Sequence, residues 1–205
     1  MNIETICTLR ENFRLRNIEV AYFDTLEEVK TYILDKVPAE CTIGIGHSAT
    51  LHKLHVTSAL LERGNAVYDK ELAKDKEEGK RIKKKALLTD WYITGSNAVS
   101  VDGRIVNVDH SGNRVAAMTF GPDKVIIVVG RNKVVPSLAD AIARVKNVAC
   151  PLNAKRAGFN PPCVALGRCV DCVSGERVCN SLSIIEGQSE PDRMILCVAD
   201  EDCGF

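Results

Sequence analysis

Apolar residues recur along this chain in two alternating patterns. Short, nearly continuous apolar runs at residues 17–23 (NIEVAYF), 42–46 (TIGIG), 66–68, 91–95 and 124–130 (KVIIVVG) predict strands buried on both faces. Between them lie helical patterns. Residues 25–36 carry Leu26, Val29, Ile33 and Leu34; a helix from Ser48 carries Leu51, Leu54 and Leu61; residues 71–86 form a charged helix, and 136–145 another. Residues 193–200 (RMILCVAD) are apolar and β-rich enough to return as a last strand. Strands separated by helices predict an α/β fold: a parallel-rich sheet covered by helices on both faces.

Two connections interrupt this rhythm with chemistry. GIGHSATL, residues 44–51, ends a strand in glycine and offers Ser48 as an N-cap, so backbone N–H groups and the positive helix end suit an anion, with His47 alongside. The same stretch is also a serviceable tight turn, and its glycine spacing matches neither a Walker loop nor a dinucleotide fingerprint. The second is TGSNAVSVDGRIVNVDHSGNR, residues 94–114. Its Asp102–Gly103 reads as a turn between short strands, followed by a helix over 112–120. A hairpin accounts for that pair but not for Asn97, Asp109, Asn113 and Arg114 gathered near strand ends, which suit a polar ligand with hydroxyl and carboxylate or phosphate groups. The expected ligand set is Gly46, Ser48, Thr50, Ser96, Asn113 and Arg114, with His47, Asn97, Asp109 and His110 as candidate catalytic groups. Two imidazoles beside one pocket would form a proton-transfer pair; the alternative is that each only bonds a loop backbone. His52 and His55, one helical turn apart, are ordinary helix positions, and Arg81, Lys83, Lys84 and Lys85 read as a solvated helix end unless one reaches an anion.

Composition narrows the classes. The 205 residues, 45% hydrophobic, suit one α/β domain spanning 1–205, and the formal net charge of zero gives no global field for nucleic acid. No apolar run spans a membrane and the first residues are too charged for a secretory signal, so a cytoplasmic protein is expected. Nine cysteines are many for a reducing compartment. Within residues 151–187 helical periodicity disappears, Pro161 and Pro162 adjoin, and Cys163, Cys169, Cys172 and Cys179 give C-x5-C-x2-C-x6-C. The central C-x2-C lets two thiolates of one knuckle share a metal. One close pair flanked by single cysteines favours a [4Fe-4S] cluster over zinc, which stays the alternative.

GIGHSATL, the run TDWYITGSNAVSVDGRIVNVDHSGNRVAAMTFGPDKVIIVVGRNKVV and PLNAKR together resemble the LUD domain family of lactate-utilisation proteins. That resemblance extends from about residue 11 to 205 and implies a fold like the NagB/RpiA/CoA-transferase group. It also implies an association with oxidation of L-lactate to pyruvate beside iron–sulfur partner proteins. The G-S-N-A-x-x-x-D-G-x-x-x-N stretch looks like a distant echo of sugar-phosphate isomerases. The chain departs from the family pattern at His47, where a second glycine is usual, and at His110 and Ser111, where small residues are common. Two functions stand side by side: a small-molecule protein or enzyme of unassigned reaction taking an anionic hydroxylated ligand, isomerase-like or transferase-like with a structural zinc; or a metal-cluster subunit docking to redox partners, as an oligomer or not.

Overall fold

The computed structural model describes residues 1–205. Six strands, β1 (Ile18–Phe23), β2 (Thr42–Ile45), β3 (Ala66–Asp69), β4 (Trp91–Gly95), β7 (Lys124–Gly130) and β10 (Met194–Ala199), form one sheet in the order β1-β10-β7-β4-β2-β3. Every neighbouring pair is parallel. The alternation that leaves such strands apolar on both faces is visible in their packing. Ile126, Val128, Ile195 and Cys197 join one core with α2 (Leu26–Lys36), α3 (Ala49–Leu54) and α4 (Val56–Glu62). The intervening Val125, Ile127, Leu196 and Val198 join a second core with α1 (Ile3–Arg14) and α6 (Asn113–Thr119). The expected parallel-rich sheet with helices on both faces is present.

A smaller sheet covers part of the second core: β8 (Val134–Val135), β5 (Ala98–Ser100), β6 (Arg104–Asp109) and β9 (Ser181–Ile185), in that order. The β5–β6 hairpin turns at Asp102–Gly103, where Gly103 takes φ +93, a conformation that glycine adopts without a Cβ penalty. Val99 and Ile105 face the main sheet, while Ala98 and Val106 face α7 (Leu138–Arg144) and the buried Cys150.

Five local expectations change. Residues 3–14, given no element above, form α1, capped by the Asn2 side chain on the Thr5 N–H and burying Leu9 and Phe13. The helix after Ser48 breaks at His55, which has φ 53, and restarts as α4; the break turns the helix so that Leu60 is buried and Leu61 exposed. The charged helix starts late, as α5 (Lys76–Lys85) with Asp75 as its cap, after a separate turn at Lys70–Leu72. Helix α7 does not end at Val145: one wide turn, Val145–Ala149, carries it into α8 (Cys150–Arg156). The segment after Cys150 is more regular than its composition predicts, holding α8, α9 (Pro162–Leu166) and β9, which pairs with β6.

Candidate functional site

In a parallel sheet all strands deliver their following loops to one edge, and ligands bind there. The loops after β2, β3, β4 and β7, with the β6–α6 turn and α8, enclose a cavity of about 450 Å³. His47, Ser48, Ser96, Asn97, Asp109, His110, Asn113 and Arg114 all line it. Gly46 and Thr50 stand behind the wall. Gly46 is where β2 presses on β4: a Cβ there would overlap the Thr94 side chain and lie 2.8 Å from the Tyr92 hydroxyl. Thr50 is fully buried, donating weakly to the Cys203 carbonyl at 3.4 Å and accepting from Lys133 Nζ at 3.0 Å.

Arg114 holds the 94–114 segment together. Its Nε donates to Asp109 Oδ1 (2.9 Å), Nη1 to the Gly95 carbonyl (2.9 Å) and Asn107 Oδ1, and Nη2 to Asn97 Oδ1 (3.0 Å) and the Val108 carbonyl (2.9 Å). A guanidinium has five N–H groups, so none is left for a ligand. Asp109 is equally occupied, its second oxygen accepting from the backbone N–H groups of Arg114 and Val115. The acceptors and guanidinium that looked like a ligand set are therefore chiefly the frame of the cavity. Asn97 keeps its side-chain N–H groups free, because its oxygen is the atom engaged, by Val108 N–H and Arg114.

His47 places Nδ1 2.8 Å from Glu71 Oε1. Burial, then the cationic neighbours Lys70 and Arg156, pushes the imidazole down to about 4, so the ring is neutral at physiological pH and the contact is one that a neutral N–H makes to a carboxylate. His110 is exposed, its ring 5.2 Å from that of Phe159, and its carbonyl accepts from Asn180. The two imidazoles line one cavity but are held by different partners. His52 is an exposed helix position, as expected, whereas His55, also exposed, is the left-handed junction between α3 and α4.

The cations of the wall were not legible as a set. Lys70 follows β3, Lys83 projects from α5, Lys133 follows β7 and Arg156 ends α8. Lys83 belongs to the stretch that reads as a solvated helix end, so one lysine of it does reach the cavity; Lys133 and Lys70 share the positional signal of lying just past a strand, and Arg156 ends the PLNAKR stretch.

The cysteine segment forms one side of the site. Val178 lines the cavity, Cys179 follows it, and the Asn180 N–H donates to the Asp109 carbonyl (3.0 Å). Arg177 donates to the carbonyls of Cys172 and Cys179 and to Asp171, and the Cys169 N–H donates to Asn147 Oδ1 in the wide helical turn. Burial, then Cys172, Cys179 and Cys169, pushes the Cys163 thiol up; burial and then Cys179 push Cys150 up to about 12. The four motif cysteines thus share one neighbourhood, with Cys150 at its base. No three His, Cys, Asp or Glu side chains stand close enough to hold an ion between them. The all-sulfur donor set suits a thiophilic centre chemically, and the sulfurs would have to draw together to form one.

No helix is long and apolar enough to cross a membrane. Among solved structures, a DUF162 family protein from Deinococcus radiodurans is similar over 96% of both chains, with TM-score 0.55 and 16% identity, a likeness of fold. Ribose 5 phosphate isomerase A from Neisseria gonorrhoeae (19% identity, 57% of both chains, TM-score 0.38) and eIF2B delta from Chaetomium thermophilum (15%, 57% of this chain and 51% of that one, 0.36) match weakly and in part. No curated protein sequence matches the chain. The LUD domain model matches residues 6–198, taking in the main sheet, the Arg114-centred loop and the cysteine segment alike, and the chain belongs to the LUD domain family.

Proposed function

We propose that this LUD-domain protein binds a small anionic, hydroxyl-bearing molecule in the cavity at the carboxyl edge of its sheet. The charge of the wall carries the reading. Lys70, Lys83, Lys133 and Arg156 line the cavity without an Asp or Glu within ion-pair distance, and the one acidic side chain lining it, Asp109, is taken by Arg114. Ser48, Ser96, Asn97, Ser111 and Asn113 add groups that hydrogen-bond hydroxyls. In a reaction, neutral His47 is the group placed to accept a proton. The lactate association of the resemblance puts 2-hydroxy acids first among ligands; the density of hydroxyl-binding groups supports sugar phosphates, and with them an isomerase-like or transferase-like activity, as the second reading. Calorimetric titration of the purified chain with L-lactate, pyruvate, ribose 5-phosphate and coenzyme A separates the two. Binding of none of these would overturn the proposal.

The same reading gives the cysteine segment a metal centre. Cys163, Cys169, Cys172 and Cys179 would hold it, as a [4Fe-4S] cluster that passes electrons or as a zinc that only orders the segment. Around it Leu166, Val170 and Val173 are exposed, a surface that supports docking of an iron–sulfur redox partner, and the nine free thiols support a reducing, cytoplasmic setting. Anaerobic purification with metal analysis and an absorption spectrum decides between iron and zinc; a chain with neither would remove the centre from the proposal.

A further inference from the structure

Lys133 is 4% exposed, yet it lines the cavity. Its ammonium has one hydrogen-bond partner, the Thr50 hydroxyl at 3.0 Å, and no carboxylate. The groups around it are two more cations, Arg144 and Arg114, and the Cys203 thiol. Burying a cation costs several kcal/mol unless an anion pairs with it, and no Asp or Glu side chain lies within bonding distance of this one. Burial pushes the amine down to about 8, which still leaves it largely protonated at neutral pH. A surface lysine could turn to water; this one cannot.

At the other side of the cavity Lys70, Lys83 and Arg156 form a second group. Lys70 is half-buried and pushed down by that burial and by Lys83, with Arg156 adding to the effect and the nearby Glu71 and Asp69 opposing it, so these three cations share one side of the wall. The sheet order sets the spacing. Lys133 follows β7 and Lys70 follows β3, with β4 and β2 between, so the two strands are three spacings apart, roughly 14 Å at about 4.8 Å each. The loops of the two intervening strands supply Ser96 and Asn97 from β4 and Ser48 from β2, so the neutral hydrogen-bonding groups come from strands between those that supply the cations.

Resting on the reading of the cavity as an anion site, we propose that the ligand carries two anionic groups separated by a hydroxylated segment, one held by Lys133 at the β7 side and the other by Lys70, Lys83 and Arg156 at the β3 side. The chemical class is a small phosphorylated hydroxy acid. Lys133 is then a binding residue whose cost in the free protein is returned when an anion arrives.

Isothermal titration with 3-phosphoglycerate, D-glycerate and glycerol 3-phosphate tests the two anchors separately. The probe with two anionic groups should bind at least about tenfold more tightly than either probe with one, as two linked contacts do. Lys133→Met should remove that advantage, and so should the Lys70→Ala/Lys83→Ala pair, while exposed Lys84→Ala should change nothing. The melting temperature of unliganded Lys133→Met should rise, because an unpaired buried charge has gone. A fall in that temperature would assign Lys133 to structure and overturn its role as an anchor. Equal binding of glycerol 3-phosphate and 3-phosphoglycerate to the natural chain would overturn the two-anchor inference and leave the anionic cavity standing, and failure of all three to bind at millimolar concentration would overturn both.

Discussion

Two buried cations in this protein have opposite circumstances. Arg114 finds acceptors for all five donors, so its burial is compensated, and removing it takes the charged partner from the buried Asp109 carboxylate and a donor from the carbonyls of Gly95 and Val108. Arg114→Met should therefore cost about 3–5 kcal/mol in chemical denaturation, the cost of breaking a buried pair rather than replacing it. Lys133 is uncompensated, and burial pushes its amine down to about 8 from the 10.5 of an ordinary lysine. Between those values the unfolded chain holds the proton that the folded chain has released, so this lysine's contribution to stability rises with pH over that window and is flat below it. Buried thiols titrate nearby with the opposite sign, Cys203 among them. The clean observable is the stability of the natural chain minus that of Lys133→Met, which should increase from pH 8 to 10.5 by up to about 3 kcal/mol. A difference independent of pH would mean that the ammonium is not desolvated.

At the scale of elements, the break between α3 and α4 serves the core. A straight helix from Ala49 to Glu62 would carry one apolar stripe; the left-handed His55 re-aims the second half so that Val56 and Leu60 enter the core while Leu51 and Leu54 remain there. An L-residue in that conformation is disfavoured by roughly 1–2 kcal/mol, a penalty absent for glycine. His55→Gly should raise stability by about 1 kcal/mol, and His55→Val should lower it, as read by thermal melting. The wide turn at Val145–Ala149 has a comparable effect on the other side, since it adds α8 to α7 and brings Asn153 and Arg156 to the cavity and Asn147 to the Cys169 N–H. Helix α2 needs no such device: the Thr25–Glu28 capping box fixes its start, and Thr25→Ala should cost about 1 kcal/mol.

For the whole molecule, the decisive feature is where the last strand goes. β10 inserts between β1 and β7, pairing six residues with each, so residues 194–199 join the edge strand β1 to the rest of the sheet. Pairing strands so distant in sequence is entropically slow, and until it happens β1 has no partner and β7 leaves the four-stranded remainder an unpaired edge. A chain cut after Asp192 should fail to reach the native circular dichroism spectrum and should aggregate, whereas a cut within an exposed loop of the cysteine segment, at Gly175, should leave the main sheet protected in hydrogen exchange. Metal loading of that segment should slow proteolysis between residues 157 and 180 without changing exchange in β7 or β10, and Cys172→Ala should abolish the slowing.

The sequence by itself determined the main sheet, because a strand buried on both faces must be apolar throughout and such runs are rare enough to be read one by one. It also determined that the 94–114 segment was too polar to be only a hairpin, and that Ser48 and Asn97 would meet, since both follow strands of one parallel sheet. The residues that give the cavity its charge were a different matter. Lys70, Lys83, Lys133 and Arg156 are single lysines and an arginine in ordinary surroundings, and only the order β7-β4-β2-β3 and the return of α8 bring them to one wall. Nor could composition say that Arg114 is used up inside the protein and Lys133 is not. Whether a buried cation has partners depends on acceptors contributed by distant segments, and the placing of those segments is decided by tertiary structure alone.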